Sequence, residues 1–283
     1  IVSSEIGKAD FAIPNFVCVG NRGYGSAYLG PRHQPLVVSD PSKGVENLKT
    51  ALGMGQFDKR VGLLEQMEAG FRKEYPVGAG LDHQVNYQRA VTMMKSREAT
   101  AFDLSKESEA TVAKYGSGKF AQGCLMARRL IERGVRCVQV MHAGWDQHNS
   151  LTTELYTQCR DTDQPSAALV KDLKQRGLLN DTLVIWGGEF GRSPTAEGTN
   201  GREHHPFGFS MWMAGGGTRG GLMYGATDEF GSAAVQDKVH PHDLHATILA
   251  LLGLDHERVT YRHAGRDFRL TDVEGRVVKE LIA

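Results

Sequence analysis

At 283 residues, with 33 Lys+Arg against 33 Asp+Glu, the chain is long enough to bury a sizeable core and carries a formal charge of +0 at pH 7. It therefore lacks the basic field that gathers nucleic acid or an anionic membrane, and binding must come from a local constellation. No apolar run approaches the roughly 20 residues of a membrane span, and four cysteines (Cys18, Cys124, Cys137, Cys159) without Cys-x-x-Cys spacing are too few for a disulfide framework.

The chain opens on Ile1 in mid-pattern, as expected of a polypeptide lacking an N-terminal segment. Residues 1–57 are rich in Gly, Pro and polar side chains. Tyr24–Pro31 and Ser39–Gly44 carry turn signals, and Phe16–Val19 and Leu36–Val38 are short strand candidates. From Asp58 to about Tyr115 the pattern is helical. Val61, Leu64, Glu65, Met67, Glu68 and Phe71 fall near helical spacing, and Val85, Tyr87, Ala90, Val91 and Met94 form a second face. A capping-like Asp103-Leu-Ser-Lys-Glu107 follows. Met67, Met93 and Met94 read as ordinary core. A further helix, Phe120–Arg133, stops at Gly134 and leads into the strand Val135–Val140, and Cys124 and Cys137 read as core packing.

Leu151–Gly177 reads as a long helix in which Pro165 places a kink or a break, with Leu169, Leu173 and Leu178 facing inward. A strand is expected over Thr182–Trp186 and an alternating one over Phe207–Met213. Asp243–Leu252 reads as a helix N-capped by Asp243 and stopped by Gly253, and Val259–Leu270 as a short tail. Helix and strand alternate through this half, so the expected class is α/β with a mainly parallel sheet.

Three strand-end or loop clusters concentrate carboxylates and imidazoles. Asp146 and His148 lie two apart beyond a strand, a spacing that lets both reach one ion, although Asp-x-His pairs also arise by chance. Glu189 follows a buried strand directly. A carboxylate there needs a cation or hydrogen bonds, or an ion pair with Arg192 or Arg202. Arg192 is either a planar fork for a phosphate or sulfate or the partner of Glu189. In Glu203-His204-His205 adjacent side chains diverge, so one histidine ligates while the other packs or donates to substrate. Trp145 reads as packing or as a lid. The chain contains no Gly-x-Gly-x-x-Gly, Walker loop or Gly-x-Ser-x-Gly elbow, which removes the main support for nicotinamide, nucleotide-hydrolase and α/β-hydrolase readings.

The combination Leu125-Met-Ala-Arg-Arg-Leu130, Gly144-Trp-Asp-Gln-His148, Gly188-Glu-Phe-Gly-Arg-Ser-Pro194, Gly201-Arg-Glu-His204, Ala214-Gly-Gly-Gly217, Gly225-Ala-Thr-Asp228 and Ala246–Gly253 closely resembles domain-of-unknown-function family 1501, a sulfatase-like family of the alkaline phosphatase superfamily. The resemblance implies one alkaline phosphatase-like α/β domain over 1–283, with a doubly wound, mainly parallel sheet lacking its first strand. Within it, 1–57 would be loop-rich, 58–116 a helical insertion and 117–270 the core. It also implies a divalent-metal site, zinc first, with manganese, calcium or magnesium as alternatives. Asp146, His148 and His204 would hold one ion, and Glu189 would serve a second or orient water. Phe190 stands where the superfamily pattern has a histidine. Arg192 and His205 would be the catalytic side chains, with the nucleophile outside the chain and no Cys-x-Pro-x-Arg from which sulfatases make formylglycine.

The implied function is hydrolysis of small anionic phosphate or sulfate esters, with the alternative of a non-catalytic binding or surface-assembly protein that keeps the fold. No nucleic-acid partner and no membrane span are expected, the oligomeric state is open, and the family's habits imply a periplasmic or extracellular location.

Overall fold

The computed structural model describes residues 1–20, 23–75 and 79–283. The chain packs as two compact units, one formed by residues 1–143 and 161–169, the other by residues 144–160 and 170–283.

The first unit begins with a short helix α1 (Val2–Glu5) and the strand β1 (Phe16–Val19), both bounds of which the sequence predicts. Phe-Val-Cys-Val is aromatic or β-branched at every position but Cys18, and Val17, Cys18 and Val19 are buried, as a central parallel strand covered on both faces requires. β2 (Leu36–Val38) and β3 (Cys137–Val140) flank β1, and all three run parallel in the order β2-β1-β3. Between β2 and β3 lie the helices α2 (Met54–Glu74), α3 (Ala79–Lys95), α4 (Glu109–Tyr115) and α5 (Lys119–Glu132). The junction at 76–78, inside the predicted helical stretch, lies outside the described residues.

Helix α5 is the covering element. Its Met126 and Leu130 are fully buried with Val17, Val19 and Phe102, each burial contributing about 1.5–3 kcal/mol. Gly123 allows the close approach to β3: a Cβ there would lie 2.8 Å from Cγ1 of Val140. Arg128 and Arg129 on α5 both pair with Glu107. The Arg128–Glu107 contact is 2.7 Å, and Arg129 also donates to the carbonyls of Ala101 and Thr100, each at 2.8 Å. The capping signal at Asp103 resolves into a 3-10 turn, with Asp103 accepting from Ser105 N–H at 3.1 Å, and Ser108 then caps α4. Cys124 and Met93 are core residues as expected, whereas Met67 is 72 % exposed. The side of α2 that faces α3 is formed by Val61, Leu64, Glu65, Glu68 and Arg72. Met67 is rotated off that stripe by about a third of a turn.

In the second unit, α6 (Leu151–Gln175, of which 161–169 pack with the first unit) runs through Pro165 without a break. β4 (Val184–Trp186) follows, and β5 (Gly191–Arg192) forms a hairpin with β6 (His204–His205). The strand expected over 207–213 is confined to β7 (Trp212–Ala214), and it runs antiparallel to β4, with Trp186 opposite Trp212. Upstream of it, Phe207 and Phe209 are exposed, and the Phe207 carbonyl accepts from Ala234 N–H at 2.8 Å, so that stretch is committed to a loop contact. β8 (Ala226–Thr227) pairs with β9 (Ala234–Gln236).

Helix α7 (Pro241–Leu251) starts two residues before the predicted point. His240, not Asp243, is its N-cap, accepting from His242 N–H at 3.3 Å, while Asp243 occupies the third position and accepts from His240 N–H at 3.1 Å. This is a capping box, and Pro241 at the first helical position suits it. The predicted tail forms a hairpin of β10 (Thr260–His263) and β11 (Arg266–Arg269). The class is mixed α/β. Among the described residues there are seven α-helices and one parallel sheet of three strands, and the other strand pairs are antiparallel.

Candidate metal centre

The site lies in the second unit, where two loops meet. In the segment after β3, His148 N–H closes on the Asp146 carbonyl at 3.0 Å. Gln147 turns inward, 2 % exposed, and its amide donates to the Gly144 carbonyl, while Asp146 and His148 are left outward. The two-apart spacing therefore does place both side chains on one side. The β5–β6 hairpin supplies the rest. Gly191 pairs with His205 and Arg192 with His204, and the ladder continues through Ser193–Glu203 and a reciprocal Glu197–Gly201 bridge with both hydrogen bonds at 3.0 Å. Its tip is fixed to the other loop by Arg202 N–H to Gln147 O at 3.0 Å and by Leu151 N–H to Asn200 O at 2.9 Å.

Three candidate ligand atoms converge. Oδ1 of Asp146 lies 2.9 Å from Nε2 of His204 and 3.1 Å from Nε2 of His148, and the two Nε2 atoms are 3.1 Å apart. Their side chains are 68, 44 and 35 % exposed, so the open direction faces solvent. A second group, His148, Glu197 and Glu203, adjoins it, with one ligand atom from each within 4.8 Å of the others. Glu197 reaches the far side of the His148 ring, Oε2 to Nδ1 at 2.6 Å.

The electrostatics follow from these contacts. Arg192 donates to Oδ1 of Asp146 at 2.6 Å, and this bond, then that of His204, holds the Asp146 carboxyl far below the usual carboxylate range. The Glu197 carboxylate raises the His148 imidazole above its ordinary value, and the backbone N–H of His204 keeps Glu203 low.

The other predicted residues divide. Arg192 is not the partner of Glu189. Besides Asp146 it donates to the carbonyls of Trp145 and Arg202 at 3.0 and 3.2 Å. Glu189 is exposed and belongs to neither ligand group. His205 points away from His204, as adjacent strand residues must, and donates from Nε2 to the Ser232 carbonyl at 2.8 Å. Phe190 packs its ring 4.4 Å from that of His204, and Trp145 packs edge-on against Trp186 at 5.9 Å. Glu197 escaped the reading of the sequence. The one signal that bears on it is the Gly198-Thr-Asn-Gly201 turn, which folds it back onto the loop carrying His148.

The fold is of mixed α/β class, with a histidine–carboxylate cluster where its loops meet. The chain belongs to the family described as Protein of unknown function (DUF1501), whose model matches residues 1–282. Neither the curated proteins nor the solved structures returned a match.

Proposed function

We propose that this protein is a metal-dependent hydrolase of small phosphate or sulfate esters, related to the sulfatases and alkaline phosphatases, with one divalent cation held by Asp146, His148 and His204. The observation that carries the reading is the triangle of Oδ1 and two Nε2 atoms at 2.9, 3.1 and 3.1 Å. Ligands of a tetrahedral zinc at 2.0–2.1 Å stand about 3.3 Å apart, so closure on an ion requires shifts of only tenths of an ångström. Two imidazoles and one carboxylate with a fourth direction open is also the donor set of catalytic rather than structural zinc sites. Manganese, calcium and magnesium remain alternatives to zinc.

When bound, such a cation supplies Lewis acidity and neutralises charge developing on the ester oxygens. The chain's own groups do the holding. Arg192 keeps Asp146 ionised and oriented, the β5–β6 ladder carries His204 to it, and Gln147 anchors the turn from which Asp146 and His148 project. In this reading Glu189 has no ion of its own, and His205 must release Ser232 before it can reach a substrate. The finer fold, one doubly wound alkaline phosphatase-like domain over 1–283, belongs to the same proposal, as does a periplasmic or extracellular location. The alternative, a non-catalytic binding or surface-assembly protein, rests on Phe190, whose ring lies against His204 where the superfamily pattern has an imidazole.

Metal analysis of the purified chain beside its Asp146→Ala and His204→Ala variants tests the centre. Bound metal is expected in the parent chain and lost in both variants, and unchanged metal content in both removes the proposal. A screen of aryl phosphates, phosphodiesters and aryl sulfates with the metal-loaded protein separates the two readings, since turnover of any of them excludes the non-catalytic one.

A further inference from the structure

Resting on that metal-binding reading, we infer that Glu197 is the positioning residue of the centre: its carboxylate accepts a hydrogen bond from the Nδ1–H of His148 and so leaves the Nε2 lone pair facing the cation. The two ring nitrogens of His148 face different partners. Nδ1 lies 2.6 Å from Oε2 of Glu197, and Nε2 lies 3.1 Å from both Oδ1 of Asp146 and Nε2 of His204. Carboxylates only accept, and both ring nitrogens face one, but Glu197 stands 2.6 Å from Nδ1 while Oδ1 of Asp146, 3.1 Å from Nε2, already accepts from Arg192, so the single proton of the neutral imidazole sits on Nδ1. The proton on Nδ1 leaves Nε2 as a bare donor atom among the other two ligands. An acidic partner behind a ligating imidazole fixes ring orientation and raises ligand basicity.

The backbone holds Glu197 for this task independently of any ion. The reciprocal Glu197–Gly201 bridge sets its strand, and Gly201 sits so tightly on His148 that an added Cβ would fall 1.9 Å from the His148 carbonyl oxygen. Arg202 N–H to Gln147 O ties the next residue to the same loop. Glu203 is committed differently, accepting from the His204 backbone N–H at 3.1 Å. Glu197 therefore acts through His148 and does not face the open side of the triangle.

The test compares zinc affinity, by chelator competition, in the 283-residue chain and its Glu197→Ala, Glu197→Gln and Glu197→Asp variants, with ¹⁵N NMR of the His148 ring in metal-free protein. At a pH above the raised titration of His148, the parent chain should show protonated Nδ1 and bare Nε2. Glu197→Ala should bind zinc roughly 10- to 100-fold more weakly at unchanged stoichiometry, with the Nδ1–H form no longer dominant, and Glu197→Asp should recover part of both. Should Glu197→Ala fail to fold, Glu197→Gln carries the affinity half of the expectation, because its amide oxygen still accepts from Nδ1–H but without the negative charge.

Parent-like affinity together with a retained Nδ1–H form in the neutral variants overturns the inference while leaving the metal centre intact. Loss of zinc as complete as in Asp146→Ala, or loss of a second bound equivalent, also overturns it, by making Glu197 a ligand. A parent chain that binds no divalent metal removes the centre and the inference together.

Discussion

At Gly201 the absence of a side chain is what lets two loops touch. The β5–β6 hairpin bends back on the segment of Asp146 and His148, and only a hydrogen fits between the Gly201 Cα and the His148 carbonyl. Gly201→Ala drives a methyl group into the His148 backbone, where no rotamer can relieve the clash. It should cost about 1–3 kcal/mol and weaken zinc binding although Asp146, His148 and His204 all remain. Denaturant melts and a zinc titration of that variant check this, and parent-like results in both would show that the contact does not shape the centre. At this scale the readable part of the site was local. Asp146 and His148 share a side because they are two apart, and His204 and His205 diverge because they are adjacent. Glu197 was not readable, because its relation to His148 exists only once a hairpin 49 residues on closes over the loop.

Helix α5 shows how one element is held by more than its apolar stripe. Its inner face is buried by Met126 and Leu130, yet the adjacent Arg128 and Arg129 are also buried, and both converge on Glu107. Burial pushes the Glu107 carboxyl up, but hydrogen bonds from the two guanidinium groups outweigh it, and its titration lies below the ordinary value. A carboxyl depressed in the folded state stabilises the fold above its unfolded pKa, about 4.3, and that contribution is lost as pH falls through the folded value. Glu107→Gln leaves two buried cations short of a partner and should cost about 3 kcal/mol at pH 7. The deficit should shrink steadily below about pH 4, as the parent's own carboxyl protonates. Denaturant melts of both proteins across that range are the check, and a deficit that grows toward acid would contradict the assigned sign. The Arg-Arg pair was visible in the sequence only as a motif, since its partner comes from the 3-10 turn before α4.

Over the whole molecule the four thiols grade from buried to open. All are free. Cys18 and Cys124 are buried, Cys137 is half-buried and Cys159 is exposed. Burial pushes Cys124 up to about 12 and Cys137 up to about 11, so little thiolate is present at neutral pH to react. An aromatic disulfide reagent at pH 8 should label Cys159 first and the other three only on unfolding. Mass mapping of the labelled site decides it, and rapid labelling of Cys124 in the native chain would contradict the packing described around α5. Among the described residues no helix is long and apolar enough to cross a membrane.

From the sequence alone came the bounds of β1 and β2, the long helices, the stops at Gly134, Gly177 and Gly253, and the three clusters of acidic and imidazole groups. Each of these depends on neighbours within a few turns of chain, where periodicity, capping and side-chain alternation act. Strand direction, the shrinkage of the 207–213 strand to its last residues, the pairing of Arg192 with Asp146 in place of Glu189, and the Glu197–His148 contact were decided only by tertiary structure. They depend on which distant backbone donors and acceptors find each other, and a hydrogen-bond ladder closed across many residues leaves no periodic trace in the chain that makes it.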